Sequence, residues 1–306
     1  MSPSASTEAG SPRRARATRS CASAFAPMTR CATRFAALPE RSDSTCPRPV
    51  HVPKHGTVKA LRLEAPPADL VRRVPVRPKG EVLELACGTG IVTHRLRERI
   101  DPFFRVVATD LSDDMLAYAR NKVKGKVDWR KADASALPFK EQTFGLVVCG
   151  LGVMFVPDKK KLCSEVRRVL LEGGAFLFNV WDGLERNPHG ASTARVFEEL
   201  FPGDAEMQFA QIPYSWNDPA TIRQHLEEAR FKEVTIEPVR FEIKAPSART
   251  YAMGQIRGTP RGALIEKKGR RVEDVIEKVA EGLAAVGGSE PFRVEASLLA
   301  VQAKAV

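Results

Sequence analysis

Glu84, Gly88, Gly90 and Asp110 are the positions whose types and spacing could do chemistry. The run Val82-Leu-Glu-Leu-Ala-Cys-Gly-Thr-Gly90 joins an apolar stretch containing an acid to two closely spaced glycines, with a helix expected from Ile91. Glycine serves where the backbone takes positive φ or where a ligand must approach the main chain without a Cβ in the way. A helix starting there offers free N–H groups and the positive end of its dipole. The turn is therefore a nucleotide-sized seat at the carboxyl end of a first strand, where open α/β sheets bind ligands. A second strand-like run, Arg105-Val-Val-Ala-Thr-Asp110, ends in an acid 20 residues after Gly90. That is the interval at which a βαβ unit sets a carboxylate beside a pair of ribose hydroxyls. Ser112 then caps a further helix that carries Asp113 and Asp114 in its first turn.

A nicotinamide-dependent oxidoreductase would use a similar seat, but its fingerprint wants a third glycine beneath the pyrophosphate. Thr93, β-branched, stands there. Glu84 also suits a ligand carrying an amino group better than one carrying two phosphates. The ligand implied is a nucleoside with a zwitterionic tail.

Three motifs then resemble the class I S-adenosylmethionine-dependent methyltransferases, in the branch containing the quinone-biosynthesis enzymes. They are Glu84-x-x-x-Gly88-x-Gly90, Asp110-Leu-Ser-x-x-Met115-Leu and Ala132-Asp133-Ala134-x-x-Leu137-Pro-Phe. The stretch from Phe144 to Phe178 is similar to that branch's fourth strand, helix and fifth strand, so the likeness is dense over residues 80–182. The resemblance implies S-adenosyl-L-methionine as cofactor, with roles for individual residues. Gly88 and Gly90, with Ala86 and Thr89 in the same turn, would let the backbone approach the cofactor, and Glu84 would serve the methionine amino group. Asp110 would accept from both ribose hydroxyls, and Leu111 and Met115 would line the adenine. Asp133 would accept from the adenine amino group with the Ala134 backbone at the ring edge, unless Asp133 merely caps a turn. Cys149 would sit beside the methionine portion. Two departures, Gly145 and Gly150, stand where the family carries larger polar side chains. Glycine in a strand leaves space, so the methionine end is expected to be looser and Gly150→Gln to bind the cofactor more tightly. The altered pattern also leaves open a non-catalytic binding module on the same fold.

Displacement at a sulfonium gains most of its rate from proximity and alignment, and needs a base only if the acceptor must first lose a proton. Acceptor-side candidates are Trp181, His189, Tyr214, Trp216, Tyr251 and Arg257. His189 follows Asn187-Pro188 in what reads as a solvated loop, a place a base could also occupy; it and Tyr214 are the catalytic candidates. Tyr214 and Trp216 alternate beside Pro213, and either line an apolar acceptor pocket or pack an extended segment. His94 and His225 fall within helices as surface or core residues. A charged helix from about Gly262 to Leu283 reads as a solvated face.

These residues must be positioned by alternating strands and helices, which argues a doubly wound, Rossmann-like sheet of about seven strands. Strands are expected near 82–86, 105–109, 127–131, 144–149, 174–180, 234–243 and 292–301, the last antiparallel. Helices are expected near 91–100, 113–122, 159–170 and 219–230, with a helical insertion over 247–288. Leu170 to Gly174 reads as a helix stop. Residues 1–55, rich in Ser, Ala, Arg and Pro, read as a disordered basic tail, and 56–306 as the methyltransferase domain with acceptor-side and cap elements over 183–290. The tail is either an organelle transit peptide or a mistaken start. The usual aromatic-rich N-terminal helix is not evident, although Ala68 to Arg73 could be its remnant.

Composition narrows the partners. The 306 residues carry a net charge of +11, but residues 1–60 hold +7 of it and the rest only +4. A nearly balanced body lacks the basic face that nucleic acid requires. No apolar run is long enough to span a membrane. Cys21, Cys31, Cys46, Cys87, Cys149 and Cys163 show no close pairing, so no metal site is expected. With the resemblance, the expectation is a cytoplasmic enzyme that moves a methyl group from S-adenosyl-L-methionine to O, C or N of a small, hydrophobic or aromatic acceptor, or an organelle-matrix one if the tail is a transit peptide.

Overall fold

The computed structural model describes residues 65–306, so the basic tail lies outside the described residues. Seven strands form one sheet in the order β3-β2-β1-β4-β5-β7-β6. In chain order they are β1 (Glu81–Glu84), β2 (Val106–Asp110), β3 (Asp128–Lys131), β4 (Phe144–Gly150), β5 (Leu170–Trp181), β6 (Phe231–Ala245) and β7 (Phe292–Ala305). The first five run parallel. β7 inserts between β5 and β6, antiparallel to both, as the sequence predicts for the last strand.

Parallel strands need cover on both faces, and alternate side chains of β1 and β4 supply two cores. Val82, Leu146 and Val148 face α1 (Ala65–Arg72) and α2 (Ile91–Arg99), packing with Leu70, Val92 and Leu96. Leu83, Val147 and Cys149 face the other way, toward Leu162 and Val166 of α4 (Lys159–Val169) and Ile222 and Leu226 of α6 (Pro219–Glu228). α3 (Asp113–Lys122) follows β2 and is capped by Ser112, whose side chain accepts from the Met115 amide.

A separate core builds a helical cap. It joins α5 (Pro188–Leu200), α7 (Ala248–Arg257), α8 (Arg261–Lys267) and α9 (Val272–Gly287) to the ends of β6 and β7. The predicted insertion over 247–288 is thus three helices. The segment Gly262–Leu283 is not a single solvated face: it breaks at Gly269, where φ is +74°, and α9 buries Val272, Val275, Ile276, Val279, Ala280 and Leu283. Two other expectations change. Leu170 already pairs with Phe144, so β5 starts at the residue immediately after α4 and absorbs the expected stop, with Gly173 at φ +70°. α5, read from sequence as a loop, is a helix whose first position is Pro188, a residue preorganised for helix entry.

Candidate cofactor seat and acceptor-side cluster

The two motifs that define the seat meet at the carboxyl edge of β1 and β2. The Asp110 carboxylate reaches back to the glycine turn, where its Oδ2 accepts from the Gly88 amide at 2.8 Å, while Oδ1 accepts from the Ser112 amide at 2.9 Å. Two backbone donors thus fix its orientation, and a carboxylate with about four lone-pair sites keeps roughly half its accepting capacity for a ligand. Leu111 beside it is 42% exposed, and Met115 is half-buried.

The glycines divide the work. Gly88, at φ +53°, has nothing within 4 Å of where a Cβ would be. Gly90, at φ +80°, would place a Cβ 2.7 Å from Val123 Cγ2 and 3.0 Å from Ala119 Cβ. Gly88 is therefore the bare approach to open space, whereas Gly90 lets the turn close on α3. Ala86 and Leu151, in the turns after β1 and β4, also hold left-handed φ of +49° and +50°. Such strain in non-glycine residues gathers at ligand-binding edges. The two turns touch: a Cβ on Gly152 would lie 2.7 Å from both Ala86 Cβ and Cys149 Sγ.

Glu84 lies beneath this edge, 1% exposed, facing Thr93 in the first turn of α2. Its Oε2 is buried with no hydrogen bond of ordinary length among the described residues, the Thr93 hydroxyl and amide lying nearby as its only weak donors. Burial pushes the Glu84 carboxyl up to about 8; the Asp110 charge adds to the rise and Thr93 opposes it. A buried carboxylate oxygen in want of a donor is costly, and an ammonium group would satisfy it. Burial also pushes the Cys149 thiol up to about 12, with the charge of Glu84 adding, and the Cys87 thiol is raised by the same two causes. Both thiols are thus held in the protonated form, the weaker nucleophile. Cys163 is a buried core residue of α4. Thr89 is half-buried in the turn.

After β3, Asp133 caps a turn, its Oδ1 accepting from the Ser135 amide at 2.8 Å and hydroxyl at 2.7 Å. This is the turn-capping role, and it leaves Oδ2 outside the turn. Ala134 packs against the core on the α4 side.

The departures do not loosen the pocket. A Cβ on Gly145 would overlap the backbone nitrogen of Gly80, at the strand end away from the seat. One on Gly150 would come within 2.8 Å of Val92 Cγ2 and 3.5 Å of Leu70 Cδ2, so α1 and α2 already occupy that space. Asn179, a residue sequence reasoning missed, ties this region together. Its Oδ1 accepts from the left-handed Leu151 amide at 2.8 Å, and its Nδ2 donates to the Pro66 carbonyl of α1 at 3.2 Å. α1 thus places a helix over most of the Ala68 to Arg73 stretch.

The acceptor-side candidates separate. His189, Tyr214, Tyr251 and Trp181 come together, with Tyr214 Oη 3.3 Å from His189 Nε2 and the Trp181 and Tyr251 rings 5.3 and 5.9 Å from the imidazole. His189 is not solvated: it is 1% exposed in the first turn of α5, and burial lowers its pKa to about 4. Trp216 points the opposite way from Tyr214, stacking on Phe178 at 5.4 Å in the α4–α6 core, so the two do not line one pocket. Arg257 pairs with Glu273 at the cap surface. His94 is exposed beside Glu98, and His225 packs against Trp216.

Asn187, also missed, holds the cluster's helix in place. Fully buried, its Nδ2 lies 3.0 Å from the carbonyls of Asp182, Gly183 and Ser297, and its Oδ1 accepts from the Ser297 amide at 3.0 Å. Asp182 adds a bond from the Ser297 hydroxyl at 2.8 Å and an ion pair with Arg186 at 3.0 Å. Among the described residues no group of His, Cys, Asp and Glu could hold a metal, and no helix is long and apolar enough to cross a membrane.

Comparison with known proteins agrees with this geometry. The methyltransferase-domain family profile matches residues 82–174. The Klebsiella pneumoniae ubiquinone/menaquinone biosynthesis C-methyltransferase UbiE is 36% identical over 173 residues, covering 52% of this chain and 69% of that protein. The Lactobacillus johnsonii demethylmenaquinone methyltransferase is 27% identical over 179 residues, covering 54% of this chain and 73% of its own. The match to the Pasteurella multocida UbiE, at 37% over 107 residues, spans only 40% of that protein. A solved Bacillus halodurans structure shares the fold at a TM-score of 0.53 with 21% identity, over 78% of this chain and 98% of that one. The chain belongs to the class I S-adenosylmethionine-dependent methyltransferases of the quinone-biosynthesis type, with S-adenosyl-L-methionine as cofactor.

Proposed function

We propose that the chain transfers a methyl group from S-adenosylmethionine to a carbon of a small, hydroxylated aromatic acceptor of the quinone-precursor kind. The observation that carries the donor half is the Asp110 carboxylate held against the amide of the open Gly88 turn. The C-methyltransferase names of the relatives support the acceptor half. When bound, the cofactor supplies an electrophilic methyl on a sulfonium. The residues present suit it. Glu84 would take the amino group on its unpartnered oxygen, and Asp110 would take the ribose hydroxyls on its remaining lone pairs. Leu111 and Met115 would flank the adenine, with Asp133 and Ala134 at its edge. Ala86, Thr89, Gly90 and Cys149 would complete the walls. The chain's contribution is to bind, orient and exclude water, because alignment supplies most of the rate in such a displacement.

We read the acceptor as hydrophobic and aromatic, residues 56–306 as the catalytic domain, and the cytoplasm as the place of action; the aromatic cluster of Trp181, Tyr214 and Tyr251 supports the first of these. Calorimetry with S-adenosylmethionine and with NAD tests the donor half, and S-adenosylhomocysteine release across a panel of quinols and phenols tests the acceptor half. Binding of NAD in place of the sulfonium donor would refute the reading.

A further inference from the structure

α5 carries two buried polar atoms that nothing in the described structure satisfies. They are His189 Nδ1 and Ser192 Oγ. The residues are 1% and 5% exposed, and three positions apart in sequence they share one helix face. Buried polar groups are almost always hydrogen-bonded, so a pair left unmet on one face asks for an explanation. The other imidazole nitrogen, Nε2, already faces Tyr214 Oη at 3.3 Å. That hydroxyl packs directly over Gly190, where a Cβ would strike it. α9 comes close as well, because a Cβ on Gly282 would stand 2.9 Å from Ser192 Oγ.

The cluster adjoins the edge where the methyl donor would lie. Gly150 at the end of β4 pairs with Asn179 of β5, and Trp181 follows two residues on, about 7 Å farther along the strand. Trp181 is only partly buried and meets His189 at 5.3 Å.

We propose that His189 Nδ1 and Ser192 Oγ read an oxygen substituent, hydroxyl or carbonyl, on an aromatic methyl acceptor that enters past the Trp181 ring. The proposal rests on the methyltransferase reading and adds the residues that select the acceptor. With Nε2 accepting from Tyr214, the neutral imidazole presents Nδ1–H as a donor, and Ser192 can donate or accept. An acceptor lacking the oxygen would leave both atoms unpaired, which is how a polar site rejects an apolar analogue.

The test compares 1,4-dihydroxynaphthalene, kept reduced, with naphthalene by equilibrium dialysis against the full-length protein. S-adenosylhomocysteine affinity is measured separately by calorimetry. Wild type is expected to prefer the dihydroxy compound by tenfold or more, His189→Leu to lose most of that preference, and Ser192→Ala to reduce it about threefold. S-adenosylhomocysteine affinity should move less than twofold in either variant. Ser192→Ala removes a hydroxyl with no protein partner, so it remains informative if His189→Leu fails to fold. No preference in wild type, or an unchanged preference in Ser192→Ala and in folded His189→Leu, overturns the assignment. Failure of wild type to bind S-adenosylhomocysteine would refute the donor reading instead, while the ring preference still decides the subsite.

Discussion

Glu84 makes cofactor binding and stability pH-dependent in opposite senses. Its carboxyl, raised by burial from 4.5 to about 8, is mostly protonated in the empty protein at neutral pH. An ammonium group set against it requires the carboxylate, so binding near pH 7 should release close to one proton. Association should then strengthen about tenfold per pH unit, or about thirtyfold from pH 6 to 7.5, while the ligand's amino group stays charged. Stability runs the other way: a raised carboxyl contributes stability that is fully present below 4.5 and lost as pH climbs toward 8, at about 1.4 kcal/mol per unit. His189 has the opposite sign. Its pKa is depressed from 6.5 to about 4 by burial, so its contribution is present above 6.5 and lost as pH falls toward 4. The two slopes cancel between about 4.5 and 6.5, and Glu84 alone should cost the empty protein about 2 kcal/mol from pH 6.5 to 8. Glu84→Gln should abolish that fall, bind S-adenosylmethionine more weakly at pH 7.5 and lose the pH dependence of binding. Urea unfolding across pH measures the first effect. Calorimetry in two buffers of different ionisation enthalpy measures the proton. PH-independent binding by wild type without proton release would refute the placement of the amino group on Glu84.

Four other substitutions discriminate among the roles argued above. Gly88→Ala should fold with about 1–2 kcal/mol of left-handed strain yet bind the cofactor at least tenfold more weakly, by calorimetry. Gly90→Ala adds overpacking against Val123 and Ala119, and should lose about 2–4 kcal/mol by urea unfolding. Gly150→Gln should lower the thermal midpoint by displacing Val92 and Leu70, with no gain in cofactor affinity. Asn187→Ala leaves the Ser297 amide and buried carbonyls unpaired, and should cost about 3–5 kcal/mol in urea.

The seat was legible in the sequence because its signals are local. Gly88, Asp110 and Ser112 act through backbone geometry and strand ends, and a βαβ unit fixes their spacing whatever lies elsewhere. The central parallel strands were legible for a related reason, being buried on both faces and therefore largely apolar, as in Val106 to Ala108 and Leu146 to Cys149, whereas the edge strand β3 is polar and half-exposed. What adjoined the seat was not. Gly145 and Gly150 look like vacancies in one dimension, but each is filled by chain distant in sequence: Gly80 in one case, Leu70 and Val92 in the other. The start of β5 was hidden by Glu172-Gly-Gly174, a helix-stop pattern that tertiary pairing with β4 overrides.

The cap was hardest to read, and α5 shows why. A helix announces itself by apolar residues at helical spacing, but the inward face of α5 begins with His189, Gly190, Ser192 and Thr193, all buried. Small residues there admit Tyr214 and α9 closely, and the polar ones save the helix from a purely hydrophobic face. Stability alone would favour leucine or alanine at such positions, since unmet buried polar atoms cost free energy. A helix that forgoes apolar periodicity where it meets the carboxyl edge of β5, and regains it at Val196 and Phe197 farther along, has its polar end where an acceptor would arrive. The polar face that hid α5 from the sequence is thus the same face on which the proposed acceptor contact rests.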